Sequence, residues 1–329
     1  MSRKLYSYIY YTLLILVFAP NIQAKDLINS DFNYKIGVGF NYTAVSSYYD
    51  GNEVLQSGFP KMRSITFDND GTDSTFIVDG VVNIDYVEFH NNYYGEFKLS
   101  DNLVGKLGVD IAYFSTDNSY TFNDTLRDES GRIKYDNFDN ALYELSTVDD
   151  FSGSRFRLMY LRPSLEYYLL NSKENILSAT LGLQMPLGFE QREVADDSTF
   201  IGDGFIQFNG NIKYRAIYKT FEIELGGGYY KRTEIYNDLA NVNLALYLTK
   251  IEDAYFYIKG DFFSGVGVDE TEEFVITEVP YSESFINTQF GLNVYFDDLE
   301  LQFDYTFVPY GKNYWLQNRV NASFHYYLK

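Results

Sequence analysis

Lys219 and Thr220 separate a basic pair from an acidic one: Lys213 and Arg215 precede them, Glu222 and Glu224 follow. If those two residues turn the chain, Arg215 lies opposite Glu224, with Lys213 and Glu222 close by on the same face. Opposite charges so placed either satisfy one another and stabilise a sheet, or line a polar conduit that selects ions or polar solutes. Other constellations are poorer. His90 and His325 are the only histidines, lie far apart, and have no nucleophile–acid arrangement around them, so no serine–histidine hydrolase assembles. Asp68, Asp70 and Asp73 cluster with Asn69 around Gly71 in "DNDGTD", which suits a surface Ca2+ ion. No glutamate follows at the bidentate position of an EF-hand, and an acidic surface loop is the simpler reading. "GGGYYKR", Gly226 to Arg232, lacks the strand–loop–helix setting of a phosphate cradle. No catalytic residue and no cofactor is therefore expected, beyond that possible surface Ca2+.

The elements that position these charges show in the period of the sequence. "FNYKIGVGFNY" alternates Phe32, Tyr34, Ile36, Val38, Phe40 and Tyr42 with polar residues and glycine, the period of a β-strand. Similar alternation predicts twelve strands, at 32–47, 82–99, 103–116, 155–170, 174–189, 204–218, 221–234, 237–249, 252–266, 280–296, 299–309 and 314–328. These exceed the usual five or six residues of a globular sheet and suit tilted strands that cross a bilayer in about 9–11 residues. The even-numbered connections are tight: 100–102, 171–173, 219–220, 250–251 and 297–298. Long connections, 48–81, 117–154, 190–203 and 267–279, occur only among the odd-numbered ones. Short turns at one end and long loops at the other are the asymmetry of an outer-membrane barrel, and predict both termini in the periplasm.

Charge and composition agree with that class. The chain opens with a basic "MSRK", an apolar stretch from Tyr11 to Pro20 and "NIQA", so residues 1–24 read as a cleaved signal peptide and 25–329 as the barrel. Removing Arg3 and Lys4 leaves 24 basic and 46 acidic residues, a net charge of −22, which excludes a nucleic-acid partner. The four long connections carry 25 acidic and 6 basic residues, so the strands are nearly neutral. Cysteine is absent, which removes disulfides and thiol ligands from this exported chain. The expected partners are outer-membrane lipid and lipopolysaccharide, the barrel-assembly machinery and a small solute.

If the apolar face meets lipid, the polar face lines a lumen. Its ionisable residues are then Lys35, Glu88, Glu96, Lys98, Lys106, Asp110, Arg162, Glu166, Lys213, Arg215, Glu222, Glu224, Arg232, Lys259, Asp261, Glu300, Asp304 and Arg319, nine acidic and nine basic. About eight strands leave an interior that side chains fill, and about sixteen leave an open channel. Twelve predicts a narrow or partly occluded passage. One stretch breaks the pattern: in "SRFRLMYLRPSLEYYLL", Arg155 and Arg157 fall on the outward face if Met159, Leu161 and Leu165 meet lipid. Either the arginines lie above the bilayer, which is the expectation, or a bulge near Leu158 shifts the register.

"YYGEFKLSDNLVGKLGVDIAYF" (93–114), "IGDGFIQFNGNIKYR" (201–215) and "ELGGGYYKRTE" (224–234) resemble a family of twelve-stranded Gram-negative barrels, the phenol-degradation meta-pathway transporters. These are loosely grouped with the long-chain fatty-acid transporter, which carries an N-terminal plug. Here the first strand is expected to begin soon after the predicted cleavage site, which argues against plug-gated fatty-acid uptake. The resemblance implies an all-β, antiparallel up-and-down transmembrane barrel in the cell outer membrane. It also implies passive transport of a small, aromatic or amphipathic solute. The alternative is a closed structural or surface-interaction barrel with acidic extracellular loops.

Overall fold

A computed structural model describes residues 31–49, 55–56, 58–69, 72–125, 143–187, 206–232, 238–251, 253–266, 284–312 and 314–329. Twelve antiparallel strands form the wall. They are β1 (Tyr34–Tyr49), β2 (Thr72–Ser100), β3 (Leu103–Thr125), β4 (Tyr143–Asn171), β5 (Asn175–Pro186) and β6 (Gln207–Ile217). β7 (Phe221–Arg232), β8 (Asp238–Ile251), β9 (Ala254–Val266), β10 (Ser284–Phe296), β11 (Leu299–Lys312) and β12 (Tyr314–Leu328) complete it. Each strand pairs with its sequence neighbour, and β1 closes the circle by pairing with β2 on one side and β12 on the other. Closure leaves no unpaired edge in the wall.

The alternation sorts the side chains as the sequence predicts. On β1, Tyr34, Ile36, Phe40 and Tyr42 are exposed on the outer surface, while Thr43 and Val45 are buried inside. On β7, Ile223, Leu225 and Tyr229 point out and Glu222, Glu224 and Arg232 are buried. The outer wall is therefore apolar and aromatic around the barrel, and the inner wall carries the charges and amides. The short turns lie at Asp101–Asn102, Ser172–Glu174, Tyr218–Thr220 and Asp297–Asp298. Both ends of the wall strands share that rim, since Tyr34 is opposite Leu328 and Phe97.

Two expectations are corrected. Residues 48–81 and 117–154 are not simply loops. Gly58–Asn69 pairs with the first half of β2, and β3 pairs with β4 out to Thr125 and Tyr143. At about 3.3 Å per residue, the 29 residues of β2 reach roughly 95 Å, far beyond the wall. The sequences of these projecting hairpins carry no sustained apolar period, and alternation reports burial rather than pairing. Asp68 and Asp73 sit opposite each other near a hairpin tip; Asp70 lies outside the described residues, as do 1–30, 190–203 and 267–279.

The second correction concerns the arginines of β4. Val109 faces Leu161 and Ile111 faces Leu158, so two residues, Met159 and Tyr160, lie opposite Asp110 alone. This bulge reverses the parity of the strand. Beyond it Phe156 and Leu158 are outside, and the intervening Arg157 takes the inner face; before it Leu165 and Tyr167 are outside. Met159, expected to meet lipid, is buried with Tyr160.

Candidate functional site

The inner wall gathers the charged residues into three groups. The first runs from β2 to β7 as an alternating chain. Glu96 lies 3.7 Å from Lys106, Lys106 lies 2.8 Å from Glu166, and Lys213 lies 3.9 Å from Glu166 and 3.8 Å from Glu224. Arg215 ends the chain, 2.8 Å from Glu224 and 3.8 Å from Glu222. The turn at Lys219–Thr220 sets this register: Tyr218 donates its N–H to the Phe221 carbonyl, and Arg215 then sits opposite Glu224. Ser178 donates a further bond to Glu166 at 2.8 Å.

The second group centres on Asp110, buried opposite the β4 bulge. Arg162 Nη2 lies 2.9 Å from one oxygen, His90 Nε2 lies 3.3 Å from the other, and Asn92 donates to the latter. Arg162 also donates from Nε to Gln184 at 3.0 Å and lies over the Tyr160 ring, 5.3 Å from its centroid. His90 Nδ1 is 3.1 Å from Glu88.

The third group fills the short-turn end. Glu300 is its hub, 3.3 Å from Lys35 Nζ and 3.0 Å from His325 Nδ1, and it accepts from Tyr327 at 2.6 Å and Tyr295 at 3.2 Å. Tyr247, Tyr255, Tyr257 and Tyr295 form a ring cluster beside it, with Asn293 donating to the Tyr255 hydroxyl at 2.8 Å. Tyr257 fits there because Gly291 stands directly across from it; a Cβ at Gly291 would collide with the phenol ring. Phe32, Val104, Tyr168, Ile176 and Tyr327 make an apolar cap at the same rim. Alternation could have found the tyrosines, since Tyr255 and Tyr257 share parity with Lys259 and Asp261.

The remaining predicted residues lie outside these groups. Lys259 pairs with Asp261 at 3.0 Å, and Asp304 accepts from Asn321 at 2.7 Å and Gln302 at 3.1 Å. Arg319 donates to Thr43 at 3.3 Å. Lys98 reaches down to Asp101 in the turn, 3.5 Å away, rather than across the interior. Among the described residues neither histidine has a hydroxyl partner to activate, and no group of three metal-capable side chains occurs.

The arrangement is a polar, ion-paired interior inside an apolar outer wall. An overlay on known structures places it. A crystal structure of an outer membrane channel from Pseudomonas putida superposes with a TM-score of 0.56 at 13% identity, over 93% of this chain and 100% of that one. The fold is that of an outer-membrane β-barrel. Looser overlays, which add no argument, include the toluene transporter TodX of the same species (TM-score 0.40, 9% identity, 95% and 92% of the two chains). The Ralstonia pickettii toluene transporter TbuX is similar (TM-score 0.41, 7% identity, 92% and 91%). No protein-family model matches the chain, and no curated protein matches it in sequence.

Proposed function

We propose that this protein is a passive outer-membrane channel for a small solute. The carrying observation is a charge- and amide-lined interior enclosed by an apolar outer wall, since lipid demands the second and a polar conduit uses the first. In this reading the short-turn rim with both termini faces the periplasm, and the acidic hairpins of β2, β3 and β4 face outward. The solute is small, because the Glu300 group and the tyrosine cluster narrow the short-turn end. An aromatic or amphipathic molecule suits the phenol rings there.

Single-channel recording of the refolded mature protein in a planar bilayer tests the reading. Discrete conductance steps are expected, and Phe32→Ala should enlarge them by opening the apolar cap. The dense ion pairing of the short-turn half favours a second reading, a closed structural barrel. A demonstrably folded but silent protein would overturn the open-pore reading and leave lateral release of a hydrophobic solute or the closed structural barrel.

A further inference from the structure

The ion pairs of the interior are oriented. In the Arg162–Asp110 pair the arginine side chain is 41% exposed and the aspartate 0%. In the Lys213–Glu166 pair the values are 38% and 4%. Lys259 exceeds Asp261, 30% against 15%, and Lys106 exceeds Glu96, 31% against 19%. Arg319, on the same inner face, is also exposed. In these four pairs the carboxylate is set deeper into the wall than the cationic head. Nine acidic and nine basic residues balance formally, yet the surface a solute meets is positive, and the low-dielectric wall behind concentrates that field in the lumen.

Two heads retain bonding capacity. Lys213 has carboxylate oxygens at 3.8 and 3.9 Å, both beyond hydrogen-bond distance, so its N–H donors have no carboxylate acceptor among the described residues, and its side chain is 38% exposed. Arg162 commits Nε to Gln184 and Nη2 to Asp110, which leaves donors of a five-donor fork. That planar fork matches a carboxylate, whereas an ammonium takes any small anion.

We propose that Arg162, Lys213 and Lys259 form an anion-binding belt in the lumen, whose ligands are small monovalent anions and, most tightly, organic carboxylates. The inference rests on the channel reading and names the solute class for it. Acidic residues on the outer hairpins work against multivalent anions at the mouth, so the belt sorts by valence as well as sign.

The test is the reversal potential of the refolded protein in a KCl gradient, with sodium benzoate and sodium acetate then added as probes. Chloride should be preferred over potassium by about tenfold, the low end of what a charged cleft does to local counter-ion concentration. Both carboxylates should reduce the chloride current, and Arg162→Gln with Lys213→Gln should abolish preference and block. Block by benzoate alone would assign the affinity to the phenol rings instead of the belt and overturn the proposal. Cation preference in the wild-type protein, which needs no variant to fold, overturns the belt and leaves the channel reading intact. If the folded barrel is silent, calorimetric titration with sodium benzoate and sodium acetate decides. Binding of both that is lost in Arg162→Gln retains the belt without the passage, and no binding removes both.

Discussion

Removing the Glu166 charge should uncover how much the interior ion pairs stabilise the barrel. Glu166 is buried and faces Lys106 at 2.8 Å, Lys213 at 3.9 Å and Ser178 at 2.8 Å. Breaking one side of a buried pair costs about 3–5 kcal/mol, because the partner is left desolvated and unpaired. Here the lower end applies: Lys106 keeps Glu96 at 3.7 Å and Lys213 keeps Glu224 at 3.8 Å. Glu166→Gln should therefore cost about 3 kcal/mol, and Lys106→Met, whose side chain is partly solvated, about 2 kcal/mol. The double variant loses charge and countercharge together, so its cost should fall short of the sum by about 2 kcal/mol. Urea unfolding in lipid vesicles, followed by the different gel migration of folded and unfolded barrels, measures all three. Single costs under about 1 kcal/mol that simply add would show the pair to be solvated, and the reasoning on interior charges would fail.

Two further substitutions probe the wall itself. A Cβ at Gly228 would overlap the Asn211 side chain and sit 2.8 Å from the Gly210 carbonyl, whereas one at Gly260 meets nothing within 4 Å. Gly228→Ala should cost about 1–3 kcal/mol by overpacking, and Gly260→Ala should not, in the same urea assay. Leu181 projects from the outer wall. Leu181→Arg should cost about 2–4 kcal/mol in vesicles if that face meets the bilayer core, and almost nothing if it meets water.

Much of the wall was legible in advance because burial on one face imposes a period of two. Strands β5 to β12 fall within a few residues of their predicted bounds, and the Arg215–Glu224 pair follows from a two-residue turn. What escaped the period was structure that period does not govern. The projecting halves of β2, β3 and β4 carry no sustained apolar alternation, so their pairing left no hydrophobic trace. The bulge at Met159–Tyr160 changes parity without changing composition, and Arg157 was the symptom it left in the sequence. The orientation of the ion pairs was illegible altogether, since alternation says which wall a side chain is on and not how deeply it is set.

Closure by β1 has a consequence for how the chain reaches this state. Tyr34 is opposite Phe97 on one side and Leu328 on the other, so one seam joins neighbours in sequence and the other joins the two ends of the wall. The second seam can form only after the last strand has arrived, which makes it the contact of greatest loop-closure cost and the slow step of assembly. Until then β1 and β12 each present a row of unsatisfied backbone groups, a template for pairing with any other strand. Spontaneous folding should therefore be slow and prone to association at those two edges. An assembly factor that holds β1 or β12 by edge pairing would accelerate closure while adding no contact to the finished barrel.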